Sequence, residues 1–125
     1  MTHQRTTRPK EAKMTAAVAH RLDSIKHRAG VRSREIAEML DTTPQTISRW
    51  QQGRVDPQPA KLHQLLALEW LATQLAEFYE PDDARLWLYS PHKLLAGRRP
   101  AELIAEGDID SVLALIDQLR DGAYV

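Results

Sequence analysis

The sequence predicts an all-α protein: an N-terminal helix-turn-helix bundle joined by a long helix to a small C-terminal helical domain. Three observations carry this. Apolar residues recur three and four apart, as in Ile109, Val112, Leu113, Ile116 and Leu119. Proline stands repeatedly where a helix would begin, and glycine where one would end. Alternation of apolar and polar residues, which marks a half-buried strand, is absent over any useful length.

The expected elements run in order along the chain. Residues 1–14 are polar, basic and unpatterned, and read as a disordered tail; a solvated end and a phosphate-contacting arm both fit. Thr15 is expected to cap a first helix running to about Arg28, with Val18, Leu22 and Ile25 on one face and Gly30 just beyond it. Ser33 is the expected N-cap of a second helix, with Glu35 in its positive first turn and Ile36, Ala37 and Leu40 at helical spacing. Asp41-Thr42-Thr43 breaks it. Thr43 then caps a third helix, Pro44 suits its first position and Gly53 its left-handed exit. A long helix is expected from Pro59 to about Tyr79, apolar around much of its circumference and so buried on more than one side, with a dimer seam as a further use. Short helices come next: one opened by Pro81, one capped by Ser90-Pro91 and stopped at Gly97, one from Pro100 to Gly107, and one capped by Asp108 and ending at Gly122. The domain division is therefore 1–14 tail, 15–58 helix-turn-helix, 59–80 connecting helix and 81–125 C-terminal domain.

Within the third helix Ile47 and Trp50 share one side. At 100° per residue Gln45, Ser48, Arg49 and Gln52 point away from them, with Thr46 flanking. Amides, a hydroxyl and a guanidinium on one face suit base edges and phosphates, which makes these five residues the candidate DNA-binding set. A helix-turn-helix that serves only as a protein scaffold would leave the same face in water.

The chain has 125 residues, 42% of them hydrophobic and 27% charged, as in an ordinary soluble domain. With no cysteine there is no disulfide, thiolate metal site or cysteine nucleophile. The five histidines show no ligand spacing, so no metal and no cofactor are expected. Ser111, His92 and the scattered acids form no nucleophile-base motif, and no phosphate-cradling glycine loop is present; an enzyme is not expected. No signal peptide or membrane span is read, and the expected location is cytoplasmic. Net charge is +0, yet residues 1–59 hold 11 Lys and Arg against 6 Asp and Glu, and the remainder the reverse. A basic front half fits a polyanion and an acidic back half does not.

The run L-D-T-T-P-Q-T-I-S-R-W-x-x-G, Leu40 to Gly53, resembles the helix-turn-helix of the Xre family. It departs where that family has Gly and then an apolar residue, since Asp41 and Thr42 stand there; Asp tolerates the left-handed region. The back half is similar to the toxin-binding domain of the Xre/MbcA/ParS antitoxin family. Trp87-Leu88, Ser90-Pro91, Leu94-Leu95, Gly97, Pro100, Leu103-Ile104, Gly107, Val112-Leu113, Leu115-Ile116, Gly122 and Tyr124 carry the match, and the likeness is greatest to MbcA-type antitoxins.

This resemblance implies an antitoxin paired with a RES-domain toxin, an enzyme that degrades NAD. It also implies autoregulation through operator DNA and a homodimer within a larger toxin–antitoxin complex. In that family the antitoxin's C-terminal end enters the toxin's active-site cleft, which carries over here to Gly122-Ala123-Tyr124-Val125. The expected toxin-binding set is completed by Trp87, Ser90, Pro91, Leu95, Arg98 and Arg99. For several of these a plainer role stays open. Trp87 fits either a core or an anchor position, Arg98 and Arg99 either toxin acids or a solvated loop, and Tyr124 either a plug or a cover for its own bundle. The competing function is a free-standing repressor whose back half only dimerises.

Overall fold

The structure is a computed structural model that describes residues 9–122, with side chains from residue 16 onward. These residues form α1 (Pro9–Ala29), α2 (Ser33–Met39), α3 (Pro44–Gln51), α4 (Pro59–Ala76), α5 (Pro81–Leu88), a 3₁₀ turn (Lys93–Leu95), α6 (Pro100–Ala105) and α7 (Ile109–Gly122). The all-α class is observed, with no strand among the described residues.

One buried cluster runs through the molecule. Val18, Leu22 and Ile25 of α1, Ile36 and Leu40, Ile47 and Trp50, the α4 residues Leu65, Leu68, Leu71 and Leu75, then Trp87, Leu88, Ile104, Val112 and Ile116 all belong to it. Helix α4 packs along α1 and also touches α5 and α7, while α2 meets α6. The basic front and acidic back therefore share a continuous apolar interior.

Helix ends obey the chemistry of their residues. The Thr43 hydroxyl accepts from Thr46 N–H at 3.1 Å, and Pro44 opens α3 as expected. At the end of α2, Asp41 takes φ 52°, Asp41 N–H donates to Glu38 O at 3.2 Å and Thr42 N–H to Ala37 O at 2.9 Å. The same paired bonds close α3 at Gly53, φ 72°, from Gly53 to Trp50 and from Arg54 to Arg49. Asp41 thus does the work usually left to glycine. The ammonium of Lys61, on α4, donates to the carbonyls of Leu40 and Asp41 and so satisfies two acceptors just past the end of α2. Asp108 caps α7, accepting from Ser111 N–H at 3.2 Å.

Several expectations are corrected. α1 starts at Pro9, so Thr15 is no cap and residues 9–14 lie inside the helix. Lys10, Glu11, Ala12, Lys13 and Met14 are all good helix formers, and Pro9 suits a first position, so the absence of an apolar stripe was the wrong signal there. Ser33 is the first residue of α2; the cap is Arg32, whose N–H donates to the Glu35 carboxylate at 3.0 Å. α4 ends at Ala76, and Tyr79 N–H closes a turn onto Leu75 O at 2.9 Å. Ser90 opens no helix. Its hydroxyl donates to Leu86 O at 2.6 Å, finishing α5 instead. Beyond Ser90 the chain forms a tight loop in which only Lys93–Leu95 is helical, because Ala96 and Gly97, φ 57° and 79°, turn the chain back at once. His92 N–H then donates to Arg98 O at 3.1 Å. Finally, α4 is not buried all round: Leu66 and Trp70 are exposed.

Candidate functional site

The third helix presents the face that its spacing predicts. Ile47 and Trp50 are buried, whereas Gln45, Ser48, Arg49 and Gln52 are exposed and Thr46 is half-buried. Thr46 is partly occupied by its neighbour, the two hydroxyls of Thr43 and Thr46 lying 3.0 Å apart. Gln52 Nε2 donates to Ser48 Oγ at a long 3.4 Å, so both remain available to an outside partner. Gln51 has a different role that the sequence did not signal. Its amide donates to Ala19 O and Asp23 Oδ1 and accepts from Lys26, pinning α3 to α1. A rigidly seated helix with an exposed row of amide, hydroxyl and guanidinium groups can dock into a groove without reordering itself.

The second surface is built by the loop between α5 and α6. Leu94, at its tip, is 69% exposed, and Leu86, on the outer side of α5, is 63% exposed. Between the loop and α7 lies an open groove of about 370 Å³, lined by Leu94, Leu95, Leu103, Ser111, Ala114, Leu115 and Gln118. On the other side of the loop a cleft of about 330 Å³ is lined by Tyr79, Asp83, Leu86, Trp87, Ser90 and His92. His92 fixes the loop onto α5: its Nε2–H donates to Trp87 O at 3.0 Å, and its ring lies 4.8 Å from the Trp87 ring.

Some members of the expected toxin-binding set come together here and others do not. Leu95 is half-buried in the groove wall, Ser90 is in the cleft and Pro91 is exposed between them. Trp87 is 6% exposed and belongs to the core, so it is a floor for the cleft and not a projecting anchor. Its place on the wheel with Ala84 and Leu88 buries it, which also turns Leu86 outward. Arg98 and Arg99 spend their charges at home. Arg98 pairs with Glu106 at 2.8 Å and Glu102 at 3.5 Å, and Arg99 with Glu102 at 3.4 Å. The Arg98 bond holds the Glu106 carboxyl below the usual range. Gly122 is the last residue of α7, and Ala123, Tyr124 and Val125 lie outside the described residues. Leu86 and Leu94 were left out of the toxin-binding set expected from the sequence, although for Leu86 the helical wheel held the signal.

The two surfaces are tied by a polar junction. Arg85 of α5 forms an ion pair with Glu35 of α2 and lies over the Tyr89 ring, 5.1 Å from its centroid. Burial pushes the Glu35 carboxyl up, but the Arg85 bond, the Arg32 N–H and both guanidinium charges outweigh it and leave the pKa lowered. Burial, aided by Glu35 and Glu38, pushes the Tyr89 hydroxyl up to about 12, so it stays neutral.

Among the described residues no group of three or more His, Asp or Glu is placed to hold a metal ion, and no helix is long and apolar enough to cross a membrane.

Comparison with known proteins gives the same direction. Residues 71–122, which carry Leu86, the loop and α7, match the antitoxin Xre/MbcA/ParS C-terminal toxin-binding domain. The mycobacterial cidal antitoxin MbcA of Mycobacterium tuberculosis is 38% identical over 98 residues, 78% of this chain and 87% of that protein. A probable mycobacterial cidal antitoxin of the same organism is 28% identical over 96 residues, 77% of this chain and 82% of that one. The fold also matches a chain in the crystal structure of the M. tuberculosis MbcT–MbcA toxin–antitoxin complex, with a TM-score of 0.73, 36% identity and coverage of 86% of this chain and 96% of that chain. With a relative 38% identical over 78% of the chain and a solved antitoxin fold matched over 86% of it, the chain belongs to the Xre/MbcA/ParS antitoxin family, as an MbcA-type antitoxin and not an enzyme.

Proposed function

We propose that the chain neutralises a cognate toxin of the RES-domain, NAD-degrading class, and that it also represses its own operon by binding operator DNA as a pair of copies. In this division of labour residues 15–58 meet DNA, 59–80 connect, and 81–125 hold the toxin. The observation that carries the toxin contact is the exposure of Leu94 at the tip of a pinned loop, inside the stretch matched to toxin-binding domains. An apolar side chain that a monomer leaves in water stabilises a complex that covers it, by about 1.5–3 kcal/mol for a fully buried Leu. Leu95, Ser90 and Pro91 extend that contact, and Leu86 adds to it from α5. Arg98 and Arg99, already paired, contribute at the rim.

Inhibition is assigned to Gly122-Ala123-Tyr124-Val125. Three residues beyond Gly122 span about 10 Å when extended, enough to enter a cleft. A Tyr ring with two rotatable bonds would plug a cleft at low entropic cost. The test is co-expression with the product of the adjacent reading frame. Leu94→Asp is expected to abolish co-purification. A chain ending at Gly122 is expected to co-purify yet protect cells poorly, with cellular NAD falling when the partner acts. Full protection by the shortened chain would remove the plug, and a partner that leaves NAD unchanged would remove the RES assignment.

A further inference from the structure

The cleft on the α5 side of the loop combines groups that act together on one kind of ligand. Tyr79, Trp87 and His92 supply aromatic rings, Leu86 an exposed aliphatic side chain and Asp83 a carboxylate. Asp83, Leu86, Trp87 and Ser90 stand at i, i+3, i+4 and i+7, so one side of α5 and its last turn carries them all. The Ser90 hydroxyl is bonded to Leu86 O and the His92 Nε2 to Trp87 O. The Asp83 carboxylate is the acid of the lining.

No cation of the chain answers that acid. None of the lining residues is Lys or Arg, and among the described residues Asp83 forms no ion pair. Asp82 shares the first turn of α5 with it, so the helix dipole already has an acid that does not line the cleft. Elsewhere on α5 the chain shows what such a combination takes. Arg85 lies over the Tyr89 ring, 5.1 Å from its centroid, and pairs with Glu35. There a ring and a carboxylate share one guanidinium, whereas at the cleft the same two groups have none.

Arginine suits the cleft better than lysine. Its guanidinium is planar and weakly hydrated, and it can lie on an aromatic ring while its N–H fork bonds a carboxylate. Its aliphatic stem would cover Leu86, which the single chain leaves in water. The cleft, about 330 Å³ and open on one side, has room for one long side chain.

We infer that this cleft receives an arginine side chain of the partner toxin, with its stem on Leu86 and its guanidinium held by Asp83 against the aromatic wall. This rests on the toxin contact proposed above and names the chemical group that the partner must bring to it.

Displacement titrations test it, with variants of the full chain competing against labelled wild-type chain in the purified complex with the product of the adjacent reading frame. Asp83→Asn is expected to raise the dissociation constant at least about 10-fold, and Asp83→Arg to raise it further. Tyr79→Leu should also weaken the complex, and Asp83→Asn should then cost less, because both substitutions act on one guanidinium. Melting of the two Asp83 variants should barely change, since the residue is exposed. Charge exchange then identifies the arginine. Among partner variants carrying one Arg→Asp each, one should restore binding to the Asp83→Arg chain by at least about 10-fold. Affinity of the Asp83→Asn chain within about 2-fold of wild type would overturn the proposal. Restoration by no Arg→Asp variant, or only by a Lys→Asp variant, would overturn the arginine. Leu94→Asp separates this from the reading beneath it. If Leu94→Asp releases the partner and Asp83→Asn does not, the toxin contact stands and the arginine cleft falls. If the wild-type chain holds no such partner, both fall.

Discussion

Gly30 is a residue whose identity is set by a neighbour far along the chain. It takes φ +66°, and a Cβ added there would lie 2.5 Å from the Pro81 carbonyl oxygen and 2.9 Å from its carbon. Both the backbone angle and the close approach exclude a side chain. Gly30→Ala is therefore expected to destabilise the fold by about 2–4 kcal/mol, from left-handed strain plus overpacking. Urea unfolding would show it; a loss below about 1 kcal/mol would mean that α5 can shift aside. Glu35 gives a pH dependence. Its carboxyl titrates lower in the folded chain than the unfolded value of about 4.3, so its contribution is complete above that pH and is lost as pH falls through the folded value. The Arg85 partner is half-exposed, and screening limits the pair to about 1 kcal/mol or less. Glu35→Gln should cost that small amount at neutral pH and make the decline in melting temperature below about pH 4.3 shallower. An unchanged acid limb would mean the carboxylate is not held there in solution.

At the scale of elements, α3 presents outward side chains that take no part in its seating on α1. Arg49 and Gln45 are exposed and, among the described residues, neither bonds another element, whereas Gln51, on the inner side, bonds α1. Arg49→Ala should weaken binding to the chain's own promoter and Gln45→Ala should relax its sequence preference, each by about 1–3 kcal/mol if it meets a base. Melting should be unchanged to within about 0.5 kcal/mol, since exposed positions of this kind carry little stability. Gel-shift titrations at low salt against promoter and scrambled duplexes would check both, with equal affinity for the two duplexes counting against base reading. The α5–α6 loop is the opposite case. Its short 3₁₀ turn is held in shape by His92, by the left-handed pair Ala96 and Gly97 and by the His92–Arg98 backbone bond, and the held shape is what keeps Leu94 in water.

Across the whole molecule, the continuous core couples the two halves. Trp50 is buried at 4% exposure in the same cluster as Ile104 and Ile116. Trp50→Ala is expected to cost about 3–5 kcal/mol and to lower the melting of the entire chain. Far-ultraviolet circular dichroism and tryptophan fluorescence should report one transition, as for a small cooperative domain. Toxin co-purification should then suffer together with DNA binding above the lowered midpoint. Two separated transitions, with the second unaffected by the substitution, would show that the halves fold independently.

The sequence by itself determined the helical class, most helix starts and stops, and the inner and outer faces of α3. Those are local matters: Pro44, Thr43, Gly53 and the 3.6-residue period act within a few residues of themselves. Membership of the antitoxin family was also legible, through the resemblance that Trp87, Pro91, Gly97 and Gly107 help to carry. Only the tertiary structure decided which apolar residues stay outside. Leu66 and Trp70 repeat the spacing of a core stripe and differ from Leu68 and Leu75 solely in which side α1 and α7 cover. It also decided that Arg98 and Arg99 answer Glu102 and Glu106 within the chain, and that Ser90 completes α5 instead of opening a helix. A side chain's period fixes its angle around its own helix, but burial depends on what other elements bring to that angle, and that is settled only when they pack.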